Sequence, residues 1–157
     1  MPIIVVHTHI EAPQERCFDL SRSIDLHQIS TEQTHEEAID GVTSGLIELN
    51  EWVTWKAVHF GISQKLTSKI TEYQRPDFFV DEMVKGAFKR FRHEHRFTHK
   101  DGKTEMTDYF DYDAPFGLLG KLVDFIILKR YMTKLLTKRN AVIKEFAESD
   151  QWKEVLE

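Results

Sequence analysis

The period of the apolar residues changes along the chain, and the changes mark out its elements. Residues 3–10, IIVVHTHI, are β-branched and histidine-rich and predict a strand. Pro13 stands where a helix can begin, because its missing N–H is not needed in the first turn. PQERCFDLSRS then places Cys17, Phe18 and Leu20 on one side of a short helix, and IDLHQIS predicts a second. From about residue 36 the period falls toward two, and EEAIDGV predicts a short strand punctuated by Gly41 and Gly45. In EWVTWKAVHF, Val53, Trp55, Ala57 and His59 share one face, as Leu66, Ser68 and Ile70 do in QKLTSKITEY. DFFVDEMV predicts a strand rich in apolar residues. AFKRFRHEHRFTH alternates again, with Phe91, His93, His95 and Phe97 on one face and Arg90, Arg92, Glu94 and Arg96 on the other. KDGK predicts a tight hairpin, since Asp-Gly favours positive φ. TEMTDYFDYDA returns as the next strand, with Met106, Asp108, Phe110 and Tyr112 on one face.

Pro115 and Gly117 end this run, and from Leu118 to about Glu148 the period is helical. Leu122, Phe125, Ile126, Met132, Leu135, Leu136, Val142, Ile143 and Phe146 recur at spacings of three and four. A helix of about 30 residues is roughly 45 Å long, enough to cross a small domain. The predicted fold is α+β. One domain over residues 1–157 has two short helices after its first strand. A curved antiparallel sheet of about six to seven strands wraps around the long C-terminal helix. Side chains on a concave sheet cannot all reach the helix axis, so such folds leave room for an apolar ligand pocket.

Composition narrows the classes. With 41% hydrophobic residues, 30% charged residues and 11 Phe, the chain reads as an ordinary globular protein rather than a disordered one. Its net charge of −5 argues against broad nucleic-acid binding. Cys17 is the single cysteine, which excludes an internal disulfide and a cysteine-based zinc site. The start MPIIVVHTHIEAP lacks the features of a signal peptide. The longest apolar run, LLGKLVDFIILKRYM, is broken by Lys121, Asp124, Lys129 and Arg130, so no stable membrane insertion is expected. The expectation is a cytoplasmic protein, with its oligomeric state left open.

The element order, the segment IEAPQERCFDL (residues 10–20) and the long final helix resemble the START-like, helix-grip superfamily, also called SRPBCC. That group includes polyketide cyclases, lipid-transfer START domains and the major pollen allergens. The similarity spans essentially the whole chain. VTWKAVHFG, FFVDEMVKGAFKRFRHEHRF and APFGLLGKLVD resemble a bacterial branch of small stand-alone members. The resemblance implies an apolar cavity for a small hydrophobic molecule of lipid, polyketide or isoprenoid type. It does not imply a reaction, because binders and enzymes share the scaffold.

The residues expected at that cavity are Trp55, His59, Phe91, His93, His95, Met106, Asp108, Phe110, Phe125 and Met132. Trp55 can line the cavity or pack on the long helix, and core packing is the expectation of the two. His93 and His95 point the same way as Phe91 and Phe97, so they face inward if those rings do. HEHRF is not the HExxH zinc signature, which needs a helix. A strand His-x-His supplies two metal ligands where a site needs three or four, and the candidate third ligands are His59, Asp81, Glu82 and Asp108. The expectation is no metal and no cofactor, with the histidines lining the cavity or paired to a carboxylate. Asp108 on an inward face needs a partner, and a hairpin centred near residues 101 and 102 places it opposite His95. In the alternative reading, His93, His95 and Asp108 move protons in a cyclase or dehydratase. His7 and His9 are expected to face outward. The arginines at 90, 92 and 96 read as a solvated sheet face. Lys129, Arg130, Lys134, Lys138 and Arg139 read as a solvated helix face, or as a surface for anionic lipid. No P-loop, GxSxG or dinucleotide fingerprint is present.

Overall fold

The computed structural model describes residues 3–114 and 121–157, with side chains in the long helix described from Ile126 onward. Strand β1 (Ile3–Ile10) leads into α1 (Gln14–Ser21) and α2 (Ile24–Ser30), followed by a short 3-10 turn at Glu32–Thr34. Six strands follow: β2 (Glu37–Gly41), β3 (Trp52–His59), β4 (Ile62–Gln74), β5 (Phe78–Lys85), β6 (Arg90–Lys100) and β7 (Lys103–Asp113). The chain closes with α3 (Lys121–Glu148) and a short α4 (Lys153–Leu156). Leu118, where the sequence starts the long helix, lies outside the described residues, as do Pro115, Gly117 and the side chain of Phe125.

Local chemistry sets the early elements. Pro13 precedes the first turn of α1 with φ of −62°, and its carbonyl accepts the Cys17 N–H. Ser23 caps α2, its Oγ accepting the Leu26 N–H at 3.1 Å. Cys17, Phe18 and Leu20 are buried on one side of α1, as their spacing predicts.

The seven strands form one antiparallel sheet in the order β1-β7-β6-β5-β4-β3-β2. Bulges in the β4–β5 pairing, between Thr67 and Ser68 and between Ile70 and Glu72, bend the sheet where it must curve. Asp101 and Gly102 both take positive φ, 52° and 76°, which matches a two-residue hairpin turn. That turn fixes the β6–β7 register and sets His95 opposite Asp108. The alternation holds along β6: Phe91, His93, His95 and Phe97 are buried. The outward arginines pair with carboxylates, Arg92 with Glu72 at 2.6 Å and Arg96 with Glu94 at 2.6 Å. His7 and His9 are exposed, as expected.

Helix α3 has two halves with different surroundings. Its C-terminal half carries Ile143, Phe146 and Ala147 into a core built around Phe18, whose ring meets Phe79 edge-on at 5.3 Å. Farther forward, Leu136 joins a smaller cluster with Ile4, Phe91, Phe110 and Tyr112, and Leu128 and Met132 pack against it. At the front, Ile126 and Ile127 are 46% and 51% exposed. The arginine at 139 departs from the solvated face read from the sequence. It is 5% exposed, because α3 turns that position toward Asp108 and the Ser21 carbonyl.

Candidate functional site

A cavity of about 540 Å³ lies between the concave sheet and α3. Its volume is within the range of small-molecule sites. Most of the wall is apolar: Leu66, Ile70, Phe79 and Phe91 from the sheet, with Leu128 and Leu135 from the helix. Two polar groups interrupt it.

The first is built on β5, β6, β7 and α3. His93 Nε2 donates to Asp108 Oδ1 at 2.8 Å, and His95 Nε2 meets Asp81 Oδ2 at 2.7 Å. Asn140 donates to Asp108 Oδ2 at 2.6 Å, and Arg139 Nη1 stands 3.6 Å from Oδ1. His95 Nδ1 lies 3.3 Å from Asp108 Oδ1 but is not aligned for a hydrogen bond. The His95 ring is held between two others, Phe79 at 4.2 Å and His93 at 3.8 Å.

Electrostatics separates the two imidazoles. Burial pushes His93 below the ordinary histidine value, helped by the neighbouring charge of His95 and opposed by Asp108 and Asp81. Burial also opposes charge on His95, but the contacts with Asp108 and Asp81 outweigh it and raise its pKa. Desolvation likewise opposes ionisation of Asp108, yet His93 and His95 hold its carboxyl well below the usual range. Asp81 is lowered in the same way, against burial, chiefly by His95. The lowered His93 favours the neutral ring, and with Nε2–H committed to Asp108 its Nδ1 carries the lone pair. Beside it, the raised His95 favours the charged ring, which with Arg139 faces the two carboxylates.

The second polar group lies by α2. His27 Nε2 meets Glu36 Oε1 at 2.8 Å, and the His27 ring lies tilted by 37° against Trp55 at 4.2 Å. His59 Nδ1 meets the Tyr131 hydroxyl at 2.6 Å. Burial opposes ionisation of Glu36, but His27 lowers its carboxyl nonetheless. Burial lowers His59.

Of the residues singled out from the sequence, Trp55, His59, Phe91, His93, His95, Phe110 and Met132 line the cavity. Trp55 does both things the sequence left open, since it is also part of the main core. Met106 and Asp108 have no exposure and stand behind the wall, where Asp108 supports the two histidines. Sequence reasoning missed His27, Glu36, Tyr131 and Asn140, and named Asp81 only as a spare metal ligand. Asp81 alternates with Phe79 on β5, so the parity of Phe79 was the available signal. His27 and Glu36 sit on a short helix and an irregular connection, where no period identifies an inward face.

Asp81, His93 and His95 also present donor atoms within 4.8 Å of one another. They are the kind of set that holds zinc or iron, with a vertex left open. The two imidazoles, however, are stacked with 30° between their planes. His93 Nε2 and His95 Nε2 are, moreover, already bonded to Asp108 and Asp81, contacts that a metal would have to displace.

Comparison with known proteins agrees with this architecture. Residues 10–130 match the family model described as polyketide cyclase / dehydrase and lipid transport. No curated protein matches the chain by sequence. Among solved structures, a Thermus thermophilus protein is 16% identical with a TM-score of 0.71, over 90% of this chain and 97% of that one. A START superfamily protein from Mycobacterium smegmatis is 8% identical with a TM-score of 0.69, over 93% and 97%. The ginseng major latex-like protein 151 from Panax ginseng is 13% identical with a TM-score of 0.67, over 94% and 98%. With the matched segment running from the end of β1 into α3, and the sheet gripping that helix, the chain belongs to the polyketide cyclase / dehydrase and lipid transport family.

Proposed function

We propose that the protein binds a small hydrophobic molecule, of lipid, polyketide or isoprenoid type, in the cavity between the sheet and α3. The observation that carries this reading is the cavity itself, about 540 Å³ with a largely apolar wall. Family membership and the superfamily's ligand-binding scaffold support it. Among the described residues no helix is long and apolar enough to cross a membrane. Trp55 is the reporter, because it lines the cavity while Trp52 lies on the outward face of the same strand. A saturable change in tryptophan fluorescence is expected with an apolar ligand, and Trp55→Phe should remove most of it. If no compound in a broad apolar panel binds below about 100 μM, roughly −5.5 kcal/mol, the reading fails.

A second reading has one specific observation behind it. His93 lines the cavity with its Nε2–H fixed on Asp108, which Asn140 in turn holds. A neutral imidazole oriented in this way can take a proton from a bound substrate at Nδ1, as a cyclase or dehydratase requires. Turnover of a polyketide-like substrate that His93→Gln abolishes, with ligand affinity kept, would favour the enzyme.

A further inference from the structure

The polar atoms on the cavity wall differ in what they have left to offer a ligand. Glu36 gives Oε1 to His27 at 2.8 Å, and its side chain keeps 12% exposure on the cavity it lines. Asp81 gives Oδ2 to His95 at 2.7 Å and keeps 19% exposure on the same cavity. Each carboxylate therefore has its second oxygen available as an acceptor. His93 adds a third acceptor at Nδ1, because its Nε2–H is committed to Asp108.

The arginines on the wall are already engaged, and His95 gives Nε2 to Asp81 at 2.7 Å while its Nδ1 lies 3.3 Å from the Asp108 carboxylate. Arg139 donates to Ser21 O at 3.0 Å and to Asn140 Oδ1 at 3.1 Å, beside Asp108. Arg22 donates to Asp19 at 2.9 Å and to Ile47 O at 3.2 Å. No lysine is among the described residues that line the cavity. A ligand carboxylate would lose its water and meet acceptors of its own sign in an apolar enclosure, where such repulsion is poorly screened. A hydroxyl donor meets a charge-assisted acceptor there, the stronger kind of hydrogen bond.

We infer that the cavity selects hydrophobic molecules bearing a neutral hydroxyl donor and rejects hydrophobic carboxylates, with Glu36 and Asp81 as the specificity-determining residues. The inference rests on the cavity reading above and narrows its ligand to aliphatic alcohols and phenols, excluding free fatty acids. It also assigns Glu36 and its partner His27 a role, though neither stood out in the sequence.

The test uses three probes on one skeleton: 2-naphthol, 2-methoxynaphthalene and 2-naphthoate. Each competes with Nile red, a neutral dye, for the intact protein at neutral pH. The naphthol should displace the dye at a concentration at least tenfold lower than the naphthoate, and severalfold lower than the methyl ether, which lacks the donor. In Glu36→Gln and Asp81→Asn, naphthoate binding should strengthen at least fivefold while the ether changes little. Naphthoate that binds the parent protein as tightly as naphthol overturns the inference and leaves the cavity reading standing. Failure of the dye and all three probes to bind removes the cavity reading and the inference together. The ranking in the parent protein needs no variant, so it decides the matter even if Asp81→Asn does not fold.

Discussion

Asp108 has no exposure, yet its two oxygens meet His93, Asn140 and, at longer range, His95 and Arg139. A carboxylate in that position is tolerable only while the set is complete, because removing one partner strands the others in an apolar surround. Asp108→Ala should therefore cost about 3–5 kcal/mol in a urea titration, and His93→Gln less. The double variant should lose less than the sum, since both remove the same contact. Additive losses would mean that the two side chains do not share an interaction. The imidazoles should also titrate apart, and NMR of the ring nitrogens reads this directly. His95 should take its proton above the ordinary value of about 6.5 and His93 below it. The signs for stability are opposite. The raised His95 contributes fully below its unfolded value and loses that contribution as pH rises through its folded one. The lowered His93 weakens the fold as pH drops below about 6.5. Asp81 and Asp108, both depressed, contribute above about pH 4, and each loses its contribution as pH falls through its own folded value, which lies well below the usual range for Asp108. Histidines that titrate together at the ordinary value would contradict this pairing.

Among the elements, β6 and β7 were the most legible. Phe91 and Phe97 revealed which parity of β6 faces inward, and the Asp101–Gly102 turn then set His95 against Asp108 without any knowledge of the rest of the sheet. Partners one strand farther away were not legible. Asp81 reaches His95 because β5 pairs Phe79 with His95 and Asp81 with His93; the parity of Phe79 marked Asp81 as inward, but the pairing of β5 with β6 has no local signature. Arg139 and Asn140 were hidden by their type, since a charged and an amide residue on a long helix read as solvated until something buried is known to need them. The uneven burial along α3 carries its own prediction. Amides near Ile126 and Ile127 should exchange with solvent faster than those from Ile143 to Ala147, which sit in the main core. Saturation with a cavity ligand should slow the front amides more than the rear ones. Uniform protection along the helix would show that the two halves open as one.

For the molecule as a whole, Asp81, His93 and His95 already spend hydrogen-bonding atoms on one another and on Asp108. Elemental analysis of the purified protein should accordingly find no stoichiometric zinc, iron or nickel. About one metal per chain, lost in His93→Ala, would mean that these contacts give way and that Asp81, His93 and His95 act as ligands. The position of Cys17 has a different consequence. Its thiol is fully buried in the Phe18 core, away from the cavity, and burial raises its pKa to about 11. It is thereby a clock for openings of the main core, since a thiol reagent can reach it only when α1 parts from the rear of α3. Ile127, Leu128 and Tyr131 line the cavity at the front of that helix, and a ligand entering there needs no such parting. Ligand exchange should then outpace Cys17 labelling by orders of magnitude, and a saturating ligand should leave the labelling rate slowed by no more than its stabilisation of the native state. Loading and unfolding would be separate events in this protein, taking place at opposite ends of one helix.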